Sequence, residues 1–151
     1  MKLIILISCS ANKKKRRAKV RDMYTGALFK YSLAYAEKLK PDKIFVLSAL
    51  HHLLELNTEI EPYNVTLTYV APKKRKADLL ILDKAAKQQW AEKVVEMLEA
   101  FADLKNDRFI VLAGEDYVKP IRNRVTHIDE VLKGISLFDR IPYIKSLLNG
   151  K

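Results

Sequence analysis

Three strand-length runs that are apolar almost throughout, Leu3 to Ile7, Lys43 to Leu47 and Arg108 to Ala113, limit the folds open to this chain. A sheet with one wet face alternates apolar and polar residues. Unbroken apolar runs belong to strands buried on both faces, as in parallel sheets covered by helices. Crossover connections then put a helix between successive strands. The segment after the first run has helical spacing at Leu28, Phe29, Ser32, Leu33, Ala36 and Leu39, and Pro41 stops it. Before the third run, Asp83 is suited to cap a long helix with a stripe of Trp90, Val94, Met97, Leu98 and Phe101. A weaker fourth strand is predicted at Arg124 to Ile128. A last helix is predicted at about Leu137 to Leu148, with Leu137, Ile141, Ile144 and Leu148 on one side and Pro142 marking its first turn. The expected architecture is one α/β domain over residues 1–151, a three-layer α/β/α sandwich around about four parallel strands.

At 151 residues and 49% hydrophobic, the chain can bury roughly two-thirds of its unfolded surface in one core. The single cysteine excludes an internal disulfide. No run approaches the ~18 apolar residues of a membrane span, so neither a membrane nor an export signal is expected, and the cytoplasm is the expected compartment. No Gly-x-Gly-x-x-Gly follows any strand, and one cysteine with three histidines offers no metal-ligand spacing, so no cofactor and no metal are expected.

The net charge of +10 is concentrated in two places. Residues 13–21 hold Lys13, Lys14, Lys15, Arg16, Arg17, Lys19 and Arg21, and residues 73–76 hold Lys73, Lys74, Arg75 and Lys76, with no acid in either window. The remaining 17 basic residues face 18 acidic ones, so two short loops carry the excess. If the loops share a face, the phosphates of DNA or RNA are their natural partner, because each neutralised phosphate releases condensed counterions. If they do not, they are two solvated loops of a lysine-rich protein.

The first apolar run ends in Ser8-Cys9-Ser10-Ala11-Asn12, directly before the first basic run. In open α/β sheets ligands sit beyond the carboxyl ends of the strands, which makes this junction a candidate site. A phosphatase loop does not fit, since Lys15 stands where Cys-x5-Arg requires arginine and the loop has no glycine. Residues 48–82 form a long excursion that includes His51, His52, Glu59, Glu61, Pro62 and Tyr63. Within it, Val65 to Val70 alternates in a way that suits an edge strand or ribbon.

Several separated motifs occur in order: Ser8-Cys9-Ser10 with Lys13, Tyr24-Thr25-Gly26 with Phe29, Leu47-Ser48-Ala49 with Leu53-Leu54, Glu61-Pro62-Tyr63, Trp90-Ala91, Gly114 with Tyr117, and Leu132-Lys133-Gly134. Together they resemble a domain family of bacteria, archaea and phages that is distantly similar to the uracil-DNA-glycosylase-like fold, used also by the base-handling domain of archaeosine synthase and by base-excising phage-defence enzymes. Members commonly carry a Lys-Tyr-Gly-Leu-like stretch where this chain has Leu50-His51-His52-Leu53, and the chain lacks the Pro-Tyr-His and His-Pro-Ser signatures of uracil glycosylases.

The resemblance implies a nucleic-acid-associated domain that recognises or excises a nucleobase, or one that keeps the fold and binds without chemistry. Cleaving an N-glycosidic bond requires an oriented water, stabilisation of a cationic sugar and neutralisation of the leaving base. The base must also leave its stack. On this reading Asn12, Glu115, Asp116 and His127 are the candidate catalytic groups. Ser8, Cys9, Ser10, Lys13, Tyr24, Ser48, Tyr63, Gly114 and Tyr117 are candidates for holding the substrate. Lys14, Lys15, Arg16, Arg17, Lys73, Lys74, Arg75 and Lys76 would hold the nucleic-acid backbone. Each has a plainer alternative: Cys9 as a buried filler, the serines as turn formers, the tyrosines as half-buried anchors, Glu115 and Asp116 as counter-charges for Lys119 and Arg122.

Overall fold

Ile4, Ile5, Leu6 and Ile7 are almost wholly removed from solvent in the computed structural model of the protein, which describes residues 1–150. Such burial of four consecutive side chains requires cover on both faces, and their strand, β1 (Leu3–Ser8), is the centre of the sheet. The order of elements continues β2 (Ala18–Lys19), α1 (Val20–Met23), α2 (Ala27–Lys38), β3 (Lys43–Ser48), β4 (His52–Glu55), β5 (Glu59–Ile60), β6 (Val65–Thr66), β7 (Leu80–Ile81), α3 (Lys84–Glu99), β8 (Arg108–Leu112), α4 (Glu115–Val118), β9 (His127–Glu130) and α5 (Leu137–Asn149). The main sheet runs β4-β3-β1-β8-β9, with β3, β1, β8 and β9 parallel and β4 antiparallel at one edge.

Alternate residues of each strand serve opposite faces. Ile4, Leu6, Phe45, Leu47, Phe109 and Val111 pack with Trp90, Val94 and Leu98 of α3. Ile5, Ile7, Val46, Ile110 and Leu112 pack with Phe29, Leu33 and Ala36 of α2 and with Ile144 of α5. Each fully buried isoleucine or leucine contributes roughly 1.5–3 kcal/mol. The unbroken apolar runs are therefore two interleaved faces, each with its own helix layer.

The helix ends follow local chemistry. The Asp83 carboxylate accepts the Ala86 amide at 2.8 Å and starts α3, as its sequence position predicts. Helix α2 closes at Lys38, and Lys40 takes the left-handed conformation (φ 51°) just before Pro41.

Three expectations are corrected. The fourth parallel strand is His127–Glu130, three residues later than predicted, because Val125 and Ile128 are the only apolar residues of the predicted window. Helix α5 spans Leu137–Asn149, matching the expected bounds, but Pro142 lies in its interior and not in its first turn. Pro142 has no amide proton for the Phe138 carbonyl, yet the helix runs through it, with Ile144 wholly buried against the α2 layer. The stretch Val65 to Val70 contributes only Val65–Thr66, which pairs in parallel with Leu80–Ile81.

The edge strand β4 was not foreseen. Ser48 pairs with His52 across a three-residue turn, and His52 has φ 70°, the left-handed region in which a side chain is strained. No helix among the described residues is long and apolar enough to cross a membrane.

Candidate functional site

The parallel register brings three strand ends to one edge of the sheet, since Ser8 lies beside Leu47 and Ile7 beside Leu112. The Cys9 amide extends the ladder by donating to the Leu47 carbonyl at 3.0 Å. Beyond this edge the chain gathers hydroxyl groups that the long 48–82 excursion and α4 deliver from opposite sides.

On the β3 side, the buried Ser48 hydroxyl donates to the Tyr63 hydroxyl at 2.8 Å and accepts the His51 amide at 3.0 Å. Tyr63 also shares a 2.5 Å hydrogen bond with Tyr24. The Ser48 carbonyl accepts the Trp90 indole N–H at 2.8 Å, which ties α3 to the same strand end. On the β8 side, the Cys9 thiol donates to the Tyr117 hydroxyl at 3.4 Å, and the Trp90 and Tyr117 rings meet edge to face with centroids 5.9 Å apart. Burial pushes the hydroxyls of Tyr24, Tyr63 and Tyr117 well above their ordinary pKa, so all three remain neutral.

Lys13 sits between these groups. Its backbone bridges Tyr24, and the flanking bonds from Lys14 N to Met23 O (2.8 Å) and from Thr25 N to Asn12 O (2.9 Å) hold it there. Its Nζ lies 4.5 Å from the Tyr63 ring centroid and 5.8 Å from that of Tyr24. Desolvation lowers its pKa, the Cys9 sulfur opposes that shift, and the charge of Lys76 adds to it.

Of these residues Cys9, Lys13 and Tyr117 border a cavity of about 300 Å³, at the lower end of the size of small-molecule pockets. It is lined by Cys9, Ser10 and Lys13 from the β1 end, by Tyr117, by Asn64, Thr66 and Thr68, and by Lys74 and Lys76 of the second basic run. The two basic runs, about sixty residues apart in the chain, thus meet at one opening. The pairing of β6 with β7 causes this, because Leu80 N to Asn64 O (2.9 Å) and Leu82 N to Thr66 O (3.0 Å) fold the second run back over the first.

The other residues singled out in the sequence are placed as follows. Ser8 is half-buried at the last position of β1, and Asn12 is exposed, its carbonyl accepting the Ser10 hydroxyl at 3.0 Å. Tyr24, Ser48 and Tyr63 form the support behind Lys13. Gly114 lets the Arg140 guanidinium pass, since a Cβ there would stand 3.2 Å from Arg140 Nη1. Lys14, Lys15 and Arg16 are exposed and flank Lys13 in the chain without lining the cavity, as do Lys73 and Arg75 beside Lys74; the Arg75 Nε donates to the Val70 carbonyl at 2.6 Å. Arg17 instead pairs with Glu59 at 3.0 Å and Glu61 at 3.3 Å, which cancels its charge locally.

The catalytic candidates diverge. His127 is exposed and pairs with Arg108, the first residue of β8, so it lies at the amino end of the strands, opposite the cavity. Its assignment to the leaving base is corrected by the shifted register of β9. Glu115 is exposed and bound by Arg122, which also grips Glu130 through two 2.8 Å bonds. The Arg122 hydrogen bonds hold both carboxylates below their usual range, as counter-charges rather than proton acceptors. Asp116 faces a separate, open groove along α3 beside Lys119 and Pro120. Asn12 does not line the cavity either. Asn64, Thr66 and Thr68 do line it and were not singled out; their signal was the polar alternation after Tyr63, which the strand reading absorbed.

A family model described as a family of unknown function (DUF6884) matches residues 4–146. No curated protein and no solved structure matches the chain.

Proposed function

The chain belongs to the DUF6884 family, which carries no assigned function, and we propose from the geometry that it is a nucleic-acid-binding domain that takes a single nucleotide unit into the strand-end cavity. The observation that carries this reading is the meeting of Lys13, Lys74 and Lys76 around one small polar opening. Cations at the rim suit phosphates, while the hydroxyl and amide groups of Ser10, Asn64, Thr66, Thr68 and Tyr117 suit the edge of a base or the oxygens of a sugar. The same reading relates the fold to the uracil-DNA-glycosylase-like group, supported by four parallel strands with helices on both faces and a cavity beyond their carboxyl ends. No acidic residue lines the cavity among the described residues, so recognition is favoured over hydrolysis by a carboxylate-activated water.

Fluorescence anisotropy with single- and double-stranded DNA and RNA, measured across a salt series, tests the proposal. Removing two phosphate contacts with K74A/K76A should make the log-log salt slope shallower by about 1.4 on single strands and about 1.8 on duplex. R17A should leave the slope nearly unchanged, because its charge is already spanned by Glu59 and Glu61. Affinity that does not respond to salt, or equal slopes for the wild type and the double variant, would refute it.

A further inference from the structure

Of the lysines in the first basic run, only Lys13 lines the cavity, and it differs from its neighbours in three ways. It is partly buried where Lys14, Lys15, Arg16 and Arg17 are exposed. Its backbone is fixed on both sides by the bridge to Tyr24 and the flanking hydrogen bonds. It has no carboxylate partner among the described residues, whereas Arg17 has two. Its Nζ lies over the Tyr63 ring, 4.5 Å from the centroid, which fixes where the amine sits; the ring face favours the ammonium and works against the desolvation and the second cation. An amine set in this way, desolvated and beside a second cation, is the arrangement by which enzymes prepare a lysine to attack a carbonyl.

We propose that Lys13 is a nucleophile toward an aldehyde carbon, and that its target is C1′ of a base-free deoxyribose seated in the cavity. The inference rests on the nucleic-acid reading and adds a reaction to it. The uncharged Lys13 nitrogen adds to C1′ of the open-chain sugar, forming an N–C bond while the carbonyl electron pair moves onto oxygen. A proton passes from nitrogen to that oxygen, giving a carbinolamine. The carbinolamine hydroxyl then departs as water together with the remaining N–H proton, the nitrogen electron pair closing an imine between Nζ and C1′, and addition of water reverses the sequence. No oxidant or reductant is consumed. The hydroxyls of Ser10 and Tyr117, which border the same space, are available to relay the proton. The absence of a cavity carboxylate, which tells against water activation, is no obstacle here, because the attacking atom belongs to the protein.

The test uses a labelled oligonucleotide with one abasic deoxyribose, incubated with the whole protein and sodium borohydride, which reduces an imine to a stable secondary amine. The expected result is a covalent adduct mapped by peptide mass spectrometry to Lys13. K13R should lose at least about tenfold of the adduct, and K105R, at the far end of the sheet, should retain it. Mapping on the wild type keeps the test valid if K13R folds poorly. Binding is measured in parallel without borohydride. An adduct on another lysine or on the N-terminal amine, or binding with no adduct, overturns the Lys13 assignment while leaving nucleic-acid binding in place. Failure to bind any oligonucleotide overturns both.

Discussion

Replacing Ser48 with alanine removes one oxygen from the last residue of β3 and withdraws two hydrogen bonds. The His51 amide loses its acceptor, and the Tyr63 hydroxyl loses a donor but keeps Tyr24. His51 is half-buried, so water recovers part of its loss. One weakened amide and one lost neutral bond in a wholly buried position together cost about 2 kcal/mol. In a domain of this size that lowers Tm by roughly 4–8 °C. The Trp90 bond is to the Ser48 carbonyl and survives the change, so α3 should keep its place. Tyr63→Phe removes the same Ser48 to Tyr63 bond from the other end and leaves the Tyr24 hydroxyl without its partner. The double variant should therefore fall short of the sum of the singles by about 0.5–1.5 kcal/mol, the bond they share. Urea denaturation followed by circular dichroism gives all three values. A S48A variant within about 0.5 kcal/mol of wild type, or strict additivity of the pair, would refute the description of this network as the support of the cavity.

Two further outcomes follow from the placement of charged groups. H127A and D116A should bind oligonucleotides as the wild type does in the same anisotropy assay, since one lies at the opposite end of the sheet and the other in a separate groove; a large loss from H127A would contradict the register of β9. Asp107 accepts the amides of Asp103 at 2.8 Å and Lys2 at 2.7 Å, and those bonds, Asp103's first, hold its pKa below the ordinary 3.8. A depressed carboxyl contributes stability that is complete above 3.8 and is lost as pH falls through the lower folded value. D107N should lower Tm at neutral pH and flatten the acid limb of a Tm-versus-pH curve, and an unchanged limb would count against this role.

The fold was legible where burial on both faces wrote itself into the sequence. The first three strands show as apolar runs because nearly every residue in them meets a helix layer. Strand β9 lies at the sheet edge, alternates in burial, and so left only Val125 and Ile128 to guide its prediction. Strand β4 has just Leu53 and Leu54 as apolar residues, too short a signal to separate from the surrounding excursion. Pro142 misled because packing of Ile144 outweighs a single missing helix bond.

For the cavity, local chemistry was visible and long-range placement was not. Cys9, Ser10, Lys13 and Tyr117 were identifiable because they follow strand ends. The partnership of Lys13 with Lys74 and Lys76 depends on two-residue strands, β6 and β7, whose pairing no periodicity announces. Glu115 had the residue type and position of a catalytic carboxylate, yet Arg122 claims it while holding Glu130 as well, an arrangement that arises only once β9 is in register.

The turn at His52 bears on the unfolded chain as well as the folded one. At this position φ is 70°, and glycine there would relieve the strain that the histidine side chain imposes. It would also enlarge the set of conformations the disordered chain explores, which costs free energy when that chain closes. The two effects oppose each other. With histidine here the chain carries local strain in the folded turn and a more restricted denatured ensemble, and the strand pair closed by that turn places Ser48, whose hydroxyl holds Tyr63.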